Sequence, residues 1–366
     1  MSGLRALIVC FVIACAAVVP SAASASAASP TATGGTTAAG KPSWSALPVP
    51  AAAPPVTVSD LAARGPGEAW ATGYEHAADG LRPMLYRWDG KAWSRDVTFP
   101  GAGEPGWLGK VQFVGDEVWI FHNREGAGEI LRRSAGGWST VPLPQTLWVY
   151  QDFTAVPGGA WVVGEDDTGL KVLHYDGSGW TTQSTPDDVL FLMGVTARTA
   201  TEAWAWADRR TGGTAVLRWD GTSWRDAKVL LPSNSNVHTM LLEPSGRATI
   251  GGSQYTDGVS RTYLMTFNGQ TWHTTYPPLD DDTYTEGMAR GADGALWVPL
   301  VSDRAFQSKY ARVDGRRTTF SYGPERTNAI DVDPRALART GPSLLSFGTV
   351  EIYGSKPNLM SERLGG

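Results

Sequence analysis

From Val56 to Phe99 apolar and polar residues alternate with a period of two in short runs, broken at regular intervals by Gly, Pro and Asp. Such alternation sets one face of each run against a core and predicts β-strands. The runs are Val56–Ala63, Ala69–Glu75, Met84–Trp88 and Ala92–Phe99, with a turn at Arg64–Glu68 after the first. Asp89-Gly90, between Trp88 and Trp93, is a hairpin signal: Gly tolerates a positive φ, and Asp bonds its own backbone. No segment carries a helical stripe.

This four-strand unit, A to D, recurs. "LHYDGSGW" at Leu173–Trp180, "LRWDGTSW" at Leu217–Trp224 and "MTFNGQTW" at Met265–Trp272 repeat the C–D hairpin, with weaker copies at Leu131–Pro144 and Ala311–Pro324. Upstream of each hairpin a second mark appears in strand B: Trp70, Trp119, Trp161, Trp204, Thr249, Trp297 and Leu345. Spacings of 42 to 49 residues between these marks suit four-stranded propeller blades, and seven marks predict seven blades. The recurring Trp residues at the B mark and at the start of D are expected to fill the wedges between sheets.

The ends complement one another. "KPSWSALPVP", Lys41–Pro50, matches a strand D with nothing before it, whereas "NAIDVDP", "SLLSFGTVEIY" and "KPNLMSERLGG" supply strands A, B and C of a last blade. Trp44 is therefore expected to complete that blade and close the ring. The predicted fold is all-β, a seven-bladed propeller over residues 42–366.

On these motifs the chain resembles bacterial secreted seven-bladed β-propellers built on Trp-Asp-Gly-x-x-Trp repeats, broadly like the Asp-box, kelch and galactose-oxidase-type propellers. It departs from each. The Asp-box pattern places one more residue between its Asp and Trp than separates Asp89 from Trp93, and the kelch Gly-Gly doublet occurs in the right strand only at Gly251-Gly252. The resemblance implies an architecture, which hosts many functions.

Composition narrows the partners. Arg5, the apolar run Ala6–Val19 and the small-residue string after Pro20 read as a secretory signal over residues 1–28, followed by a Ser/Thr/Gly/Ala linker over 29–41. Secretion is the expectation, with lipid anchoring at Cys15 in "VIAC" as an alternative. Both cysteines, Cys10 and Cys15, lie in the signal, so disulfides and thiolate chemistry are not expected in the mature chain. Losing Arg5 takes the formal charge from −5 to −6, without any basic block; nucleic acid is not an expected partner. No later segment is long and apolar enough to span a bilayer.

Catalytic signatures are sparse. Five histidines are scattered, without metalloprotease-like spacing. Arg124, Arg209, Arg304 and Arg326 lie in predicted loops, where three converging arginines would suit a sialidase-like carboxylate grip; they equally suit solvated loop ends. Asp280-Asp281-Asp282 offers oxygen ligands for Ca²⁺, but consecutive side chains point apart. No cofactor or metal is expected.

Strand alternation puts the D–A and B–C connections on one face of the disc and the A–B and C–D hairpins on the other. Ligand sites of propellers are expected where the longer connections gather. Aromatics outside the blade pattern, Trp107, Trp148, Tyr150 and Tyr284, occur there. Trp107, Trp148 and Tyr284, with Gln151, Asp187, Asn236, His238, Glu286 and Asn328 near the starts of the A strands, are the expected ligand-binding residues around a shallow funnel. Aromatic faces beside polar groups suit sugars. The expected function is a non-enzymatic binding propeller for carbohydrate or for an extracellular protein, acting as a monomer or within a secreted assembly. A glycoside-processing hydrolase or lyase and a scaffold subunit remain the alternatives.

Overall fold

The computed structural model describes residues 42–124, 127–279 and 285–365. These residues form seven four-stranded antiparallel sheets arranged as the blades of a ring. The innermost A strands are Val56–Gly65, Gly106–Val114, Val149–Val156, Val189–Thr199, Ser235–Leu242, Ala289–Arg290 and Ala329–Thr340. Neighbouring A strands are stitched through side chains: Asp60 Oδ2 accepts from Val111 N at 3.0 Å, Asp152 Oδ2 from Val195 N at 2.9 Å and Thr154 Oγ1 from Ala197 N at 3.1 Å.

The ring closes as the chain ends predict. Trp44–Leu47 pairs with Asn358–Leu364 in register Trp44↔Leu364 to Leu47↔Ser361, completing the sheet that holds Ala329–Thr340 and Ser343–Ile352. Trp44 occupies the place that D-strand tryptophans occupy elsewhere. Trp138 meets Trp70 of the preceding blade edge-on at 5.9 Å, Trp272 meets Trp204 at 6.2 Å, and Trp44 meets Trp297 at 6.0 Å. The B-mark residues Trp70, Trp161, Thr249 and Leu345 are almost wholly buried, as wedge packing requires. Strand C covers several of these indoles with a cross-strand cation: Arg87 lies 5.5 Å from Trp70, Arg132 4.6 Å from Trp119 and Arg218 5.4 Å from Trp204.

The Trp-Asp-Gly hairpin is a structural device, built alike in four blades. Asp89 Oδ1 accepts from the N–H groups of Lys91 and Ala92, both at 2.8 Å, and Asp220 Oδ1 from Thr222 and Ser223, both at 3.0 Å. Asp176 and Asn268 repeat the pattern. The following glycines, Gly90, Gly177, Gly221 and Gly269, have φ between 95° and 101°, a conformation that favours glycine. Flanking aromatics then meet across the hairpin, Trp88 with Trp93 at 5.6 Å and Trp219 with Trp224 at 5.8 Å.

These turn bonds hold the hairpin carboxylates below their ordinary range. Asp176 and Asp220 sit at about 2, chiefly through the Ser178 and Thr222 hydroxyls and then the turn N–H groups. A folded pKa lowered from 3.8 contributes stability above pH ~4 that is lost as pH falls toward 2. Asn268 shows that a neutral acceptor serves the same turn. The double variant Asp176→Asn/Asp220→Asn should therefore lose stability less steeply between pH 4 and 2 than the parent, as read by urea unfolding. An unchanged slope would show that these carboxylates do not govern acid sensitivity.

Candidate functional site: the loop face and channel mouth

Near the loop face the A strands break their pairing at one shared register. Irregularities fall between Val58/Asp60, Leu108/Val111, Tyr150/Asp152, Leu192/Gly194, Val237/Thr239 and Pro334/Ala336. In each case the residue before the break pairs three positions beyond the B mark. A bulge re-aims the inserted residue, and the residues so placed are Ser59, Gly109, Gln151, Met193, His238 and Arg335. In blade six the equivalent place is taken by Glu286, inside a 3₁₀ turn Thr285–Gly287 that precedes the short A strand. Glu286 thus precedes its A strand from within a turn. Gly287 explains the close approach, because a Cβ there would stand 2.0 Å from the Arg335 carbonyl oxygen.

The nine expected residues separate into distinct groups. Gln151, His238 and Glu286 share the bulge position, and His238 Nε2 lies 2.8 Å from Ser253 Oγ. Trp148, in the connection before its A strand, is 74% exposed. Asp187, Asn236 and Asn328 are exposed near the A-strand starts. Their backbone carbonyls brace neighbours: Asp187 O accepts from Arg210 Nε at 3.1 Å, Asn236 O from the Tyr263 hydroxyl at 3.2 Å and Asn328 O from Tyr353 N at 3.0 Å. Trp107 is half-buried, 5.6 Å from Phe121 and 5.1 Å from Tyr150, while Tyr150 stacks on Phe121 at 3.6 Å. These two rings pack between blades. Tyr284 and Asp280-Asp281-Asp282 lie outside the described residues.

Sequence reasoning passed over Ser59, Asp60, Lys110, Met193 and Arg335. Alignment of the A strands from the B mark was the signal that would have found them, since they fall in the same columns as Gln151 and Asp152. Ser59, Asp60, Lys110, Glu286, Gly287 and Arg335 line a cavity of about 180 Å³ on the inner wall of the ring. Lys110 Nζ bonds Asp152 Oδ2 at 2.8 Å, and Arg335 Nη2 lies 2.5 Å from Asp333 Oδ2. Burial pushes the Asp60 carboxyl up, against the pull of Lys110, and burial raises Asp333 to about 6. A larger cavity of about 320 Å³ sits at the rim between Thr274–Pro277 and Gly315–Thr318, where Arg316 is the one charged lining residue.

The loop arginines are committed to separate partners. Arg124 pairs with Glu104 and Glu129, Arg209 with Asp188 and Asp226, and Arg326 with Glu362, while Arg304 bonds Gln307 and covers Tyr322. They do not form a shared carboxylate grip. His122 is buried with Nδ1 3.0 Å from Glu129 Oε1, and burial lowers it to about 4. Among the described residues no group of three or more His, Cys, Asp or Glu is placed to hold a metal ion, and no helix is long and apolar enough to cross a membrane.

Large apolar side chains are also exposed, most of them beside the loop connections, with Phe320 in mid-strand of the sixth blade's D strand as an exception. Leu230 (90%), Tyr353 (83%), Tyr255, Phe306, Ile330 and Ile352 lie in or beside D–A and B–C connections. Among the described residues no large apolar side chain is exposed in an A–B or C–D turn. Four of them are tied together by backbone bonds through one connection: Arg326 N donates to Phe306 O at 2.9 Å, Tyr353 N donates to Asn328 O at 3.0 Å, and Ile330 lies beside the Ala329↔Ile352 pair.

The chain matches no known family model and no curated protein. Among solved structures it is similar to YCF48 bound to a D1 peptide, with 15% identity over 88% of this chain and 97% of that one, at a TM-score of 0.55. A mutant puromycin hydrolase complexed with PGG is 14% identical over 83% of this chain and 51% of that one, at 0.55. The β-propeller domain of the Trilobed protease from Pyrococcus furiosus is 9% identical over 85% of this chain and 94% of that one, at 0.53. These likenesses are of fold.

Proposed function

We propose that this chain is a secreted, non-enzymatic binding propeller that holds a segment of a protein partner across its loop face. The carrying observation is the exposure of large apolar residues beside the loop connections, with Phe306, Ile330, Ile352 and Tyr353 about one connection. Apolar surface left in water forgoes about 25 cal/mol per Å², which a partner recovers by covering it. The hairpin face, built from the same repeats, carries no such surface among its described residues. YCF48, similar in fold, is bound to a peptide in its solved structure, which supports a protein ligand. Carbohydrate is the second reading, favoured by Trp148 alone: its indole is exposed, whereas Trp107 and Tyr150 are engaged in packing.

Peptide selection by display on the full chain tests the reading. Selected peptides should bind, and the variant Phe306→Ser/Tyr353→Ser should weaken them more than ~tenfold without changing thermal stability, because both side chains face water. Absence of any selected peptide, together with glycan-array binding abolished by Trp148→Ala, would replace the protein ligand with a sugar.

A further inference from the structure

The outer strand of the sixth blade departs from the other strand-D edges. Its hairpin is tight, with Asp314 paired to Arg317 across Gly315-Arg316, and no Trp opens the strand. The ladder therefore starts at the turn and runs six residues, Arg317–Tyr322, against three in Trp93–Arg95, Trp180–Thr182 and Trp224–Asp226 and four in Trp44–Leu47 and Trp272–Thr275. Short edges resist pairing with other chains. Among the described residues only Gly137–Pro142 matches it in length. There Leu143 N donates to Gly128 O, so Pro142 faces outward and supplies no N–H. In the sixth blade Gly323 N donates to Ser308 O at 3.0 Å. Alternation along an antiparallel ladder then turns the N–H and C=O groups of Thr318, Phe320 and Tyr322 outward, where no strand among the described residues pairs with them. Phe320, in the middle of this edge, is 44% exposed.

We infer that this edge joins its counterpart in a second copy of the chain, antiparallel and about a two-fold axis at Phe320, so that two blades become one continuous sheet. In that register the outward groups of Phe320 bond those of the second Phe320, and those of Thr318 bond those of the second copy's Tyr322. The two phenyl rings lie side by side, a cross-strand aromatic pair that covers surface otherwise in water. Charge favours the antiparallel sense. Arg316 and Arg317 at the hairpin end, and Glu325 just past the other end, are exposed and unpaired among the described residues. Asp314, Asp303 and Arg304, also near the ends, are engaged by Arg312, Lys309 and Gln307. The two-fold axis brings the free cations of each copy toward the free carboxylate of the other, whereas parallel pairing would set cation against cation. An isologous contact of this kind closes on itself and stops at two copies. Six residues a side is a small contact beside the interface of a stable dimer, so the pair should dissociate on dilution. This edge is separate from the loop-face group, and the inference does not rest on the docking reading.

Sedimentation of the full chain across a dilution series is the test, and the mass should rise from one copy to two with concentration. Phe320→Pro removes an outward N–H while leaving the ladder to Lys309–Asp314 in place; it should weaken association more than ~tenfold. Arg316→Glu and Glu325→Lys change exposed residues outside the strand, so folding should survive. Each should weaken association roughly tenfold, because its attraction is lost twice per dimer, and the two together should recover it. A single copy at every concentration, a dimer indifferent to Phe320→Pro and to both charge reversals, or a double reversal no better than the single ones overturns the inference. A monomer whose residues 317–322 are protected from hydrogen exchange by a selected peptide would overturn it too, giving the edge to a strand of another protein. Phe306→Ser/Tyr353→Ser should leave the mass unchanged; loss of the dimer in that variant would move the contact to the loop face and overturn the assignment to this edge.

Discussion

Trp44→Ala should destabilise the propeller by about 3–5 kcal/mol, the usual cost of truncating a buried large aromatic, and deleting residues 42–50 should drive aggregation. Trp44 is 6% exposed, stacks on Tyr310 at 3.8 Å, and donates from Nε1 to Ser321 Oγ at 3.1 Å. Its strand is the outer partner of Asn358–Leu364. Without it, that strand presents an unpaired edge ready to join another chain, and the wedge between blades six and seven loses its filling. Deleting residues 29–40 should change little. Thermal unfolding of the two truncations checks this, and equal stability would refute closure by the N-terminal strand.

Glu362→Ala should have an effect of similar size by another route. Glu362 is fully buried, accepts from Ser308 Oγ at 2.6 Å and the Tyr310 hydroxyl at 2.7 Å, and lies 2.5 Å from Arg326 Nη1. Removing one member of a buried ion pair strands the other charge, which costs about 3–5 kcal/mol. Replacing both charges removes that penalty. Glu362→Leu/Arg326→Met should therefore be more stable than Glu362→Ala in urea unfolding. If the single variant unfolds like the parent, the pair does not contribute as its geometry implies.

How much of this was legible in the sequence depends on the range of each interaction. The hairpin at Asp89 was, because its bonds run two and three residues along the chain. The closing strand was as well, since Trp44 sits in a D-strand sequence whose A, B and C strands come only at the other end. Register at the channel mouth was only half legible. A bulge interrupts alternation within a strand, so Gln151 and His238 stood out as strand-opening polar residues while Ser59, Lys110 and Arg335 passed for ordinary alternation.

Aromatics posed the harder problem. Trp107, Trp148 and Tyr150 look alike in sequence, all out of register with the blade pattern. The break at Tyr150/Asp152 accompanies the stack of Tyr150 on Phe121, and Trp107 leans on both, whereas Trp148 precedes the strand and stays in water. Packing across blades decided the matter. The partnership of Glu362 with Arg326 spans 36 residues and two blades, with no local signal, and the apolar group at Phe306, Ile330, Ile352 and Tyr353 exists only because three segments meet.

Hydrogen exchange of the full chain with and without a selected peptide tests directly whether a partner segment covers the loop face. Backbone groups made inaccessible by a bound partner exchange more slowly. Protection is expected to concentrate in residues 301–308, 323–330 and 352–357, with the C–D hairpins at 89–92, 176–179 and 220–223 unchanged. Protection of those hairpins, with the loop connections unaffected, would contradict that docking.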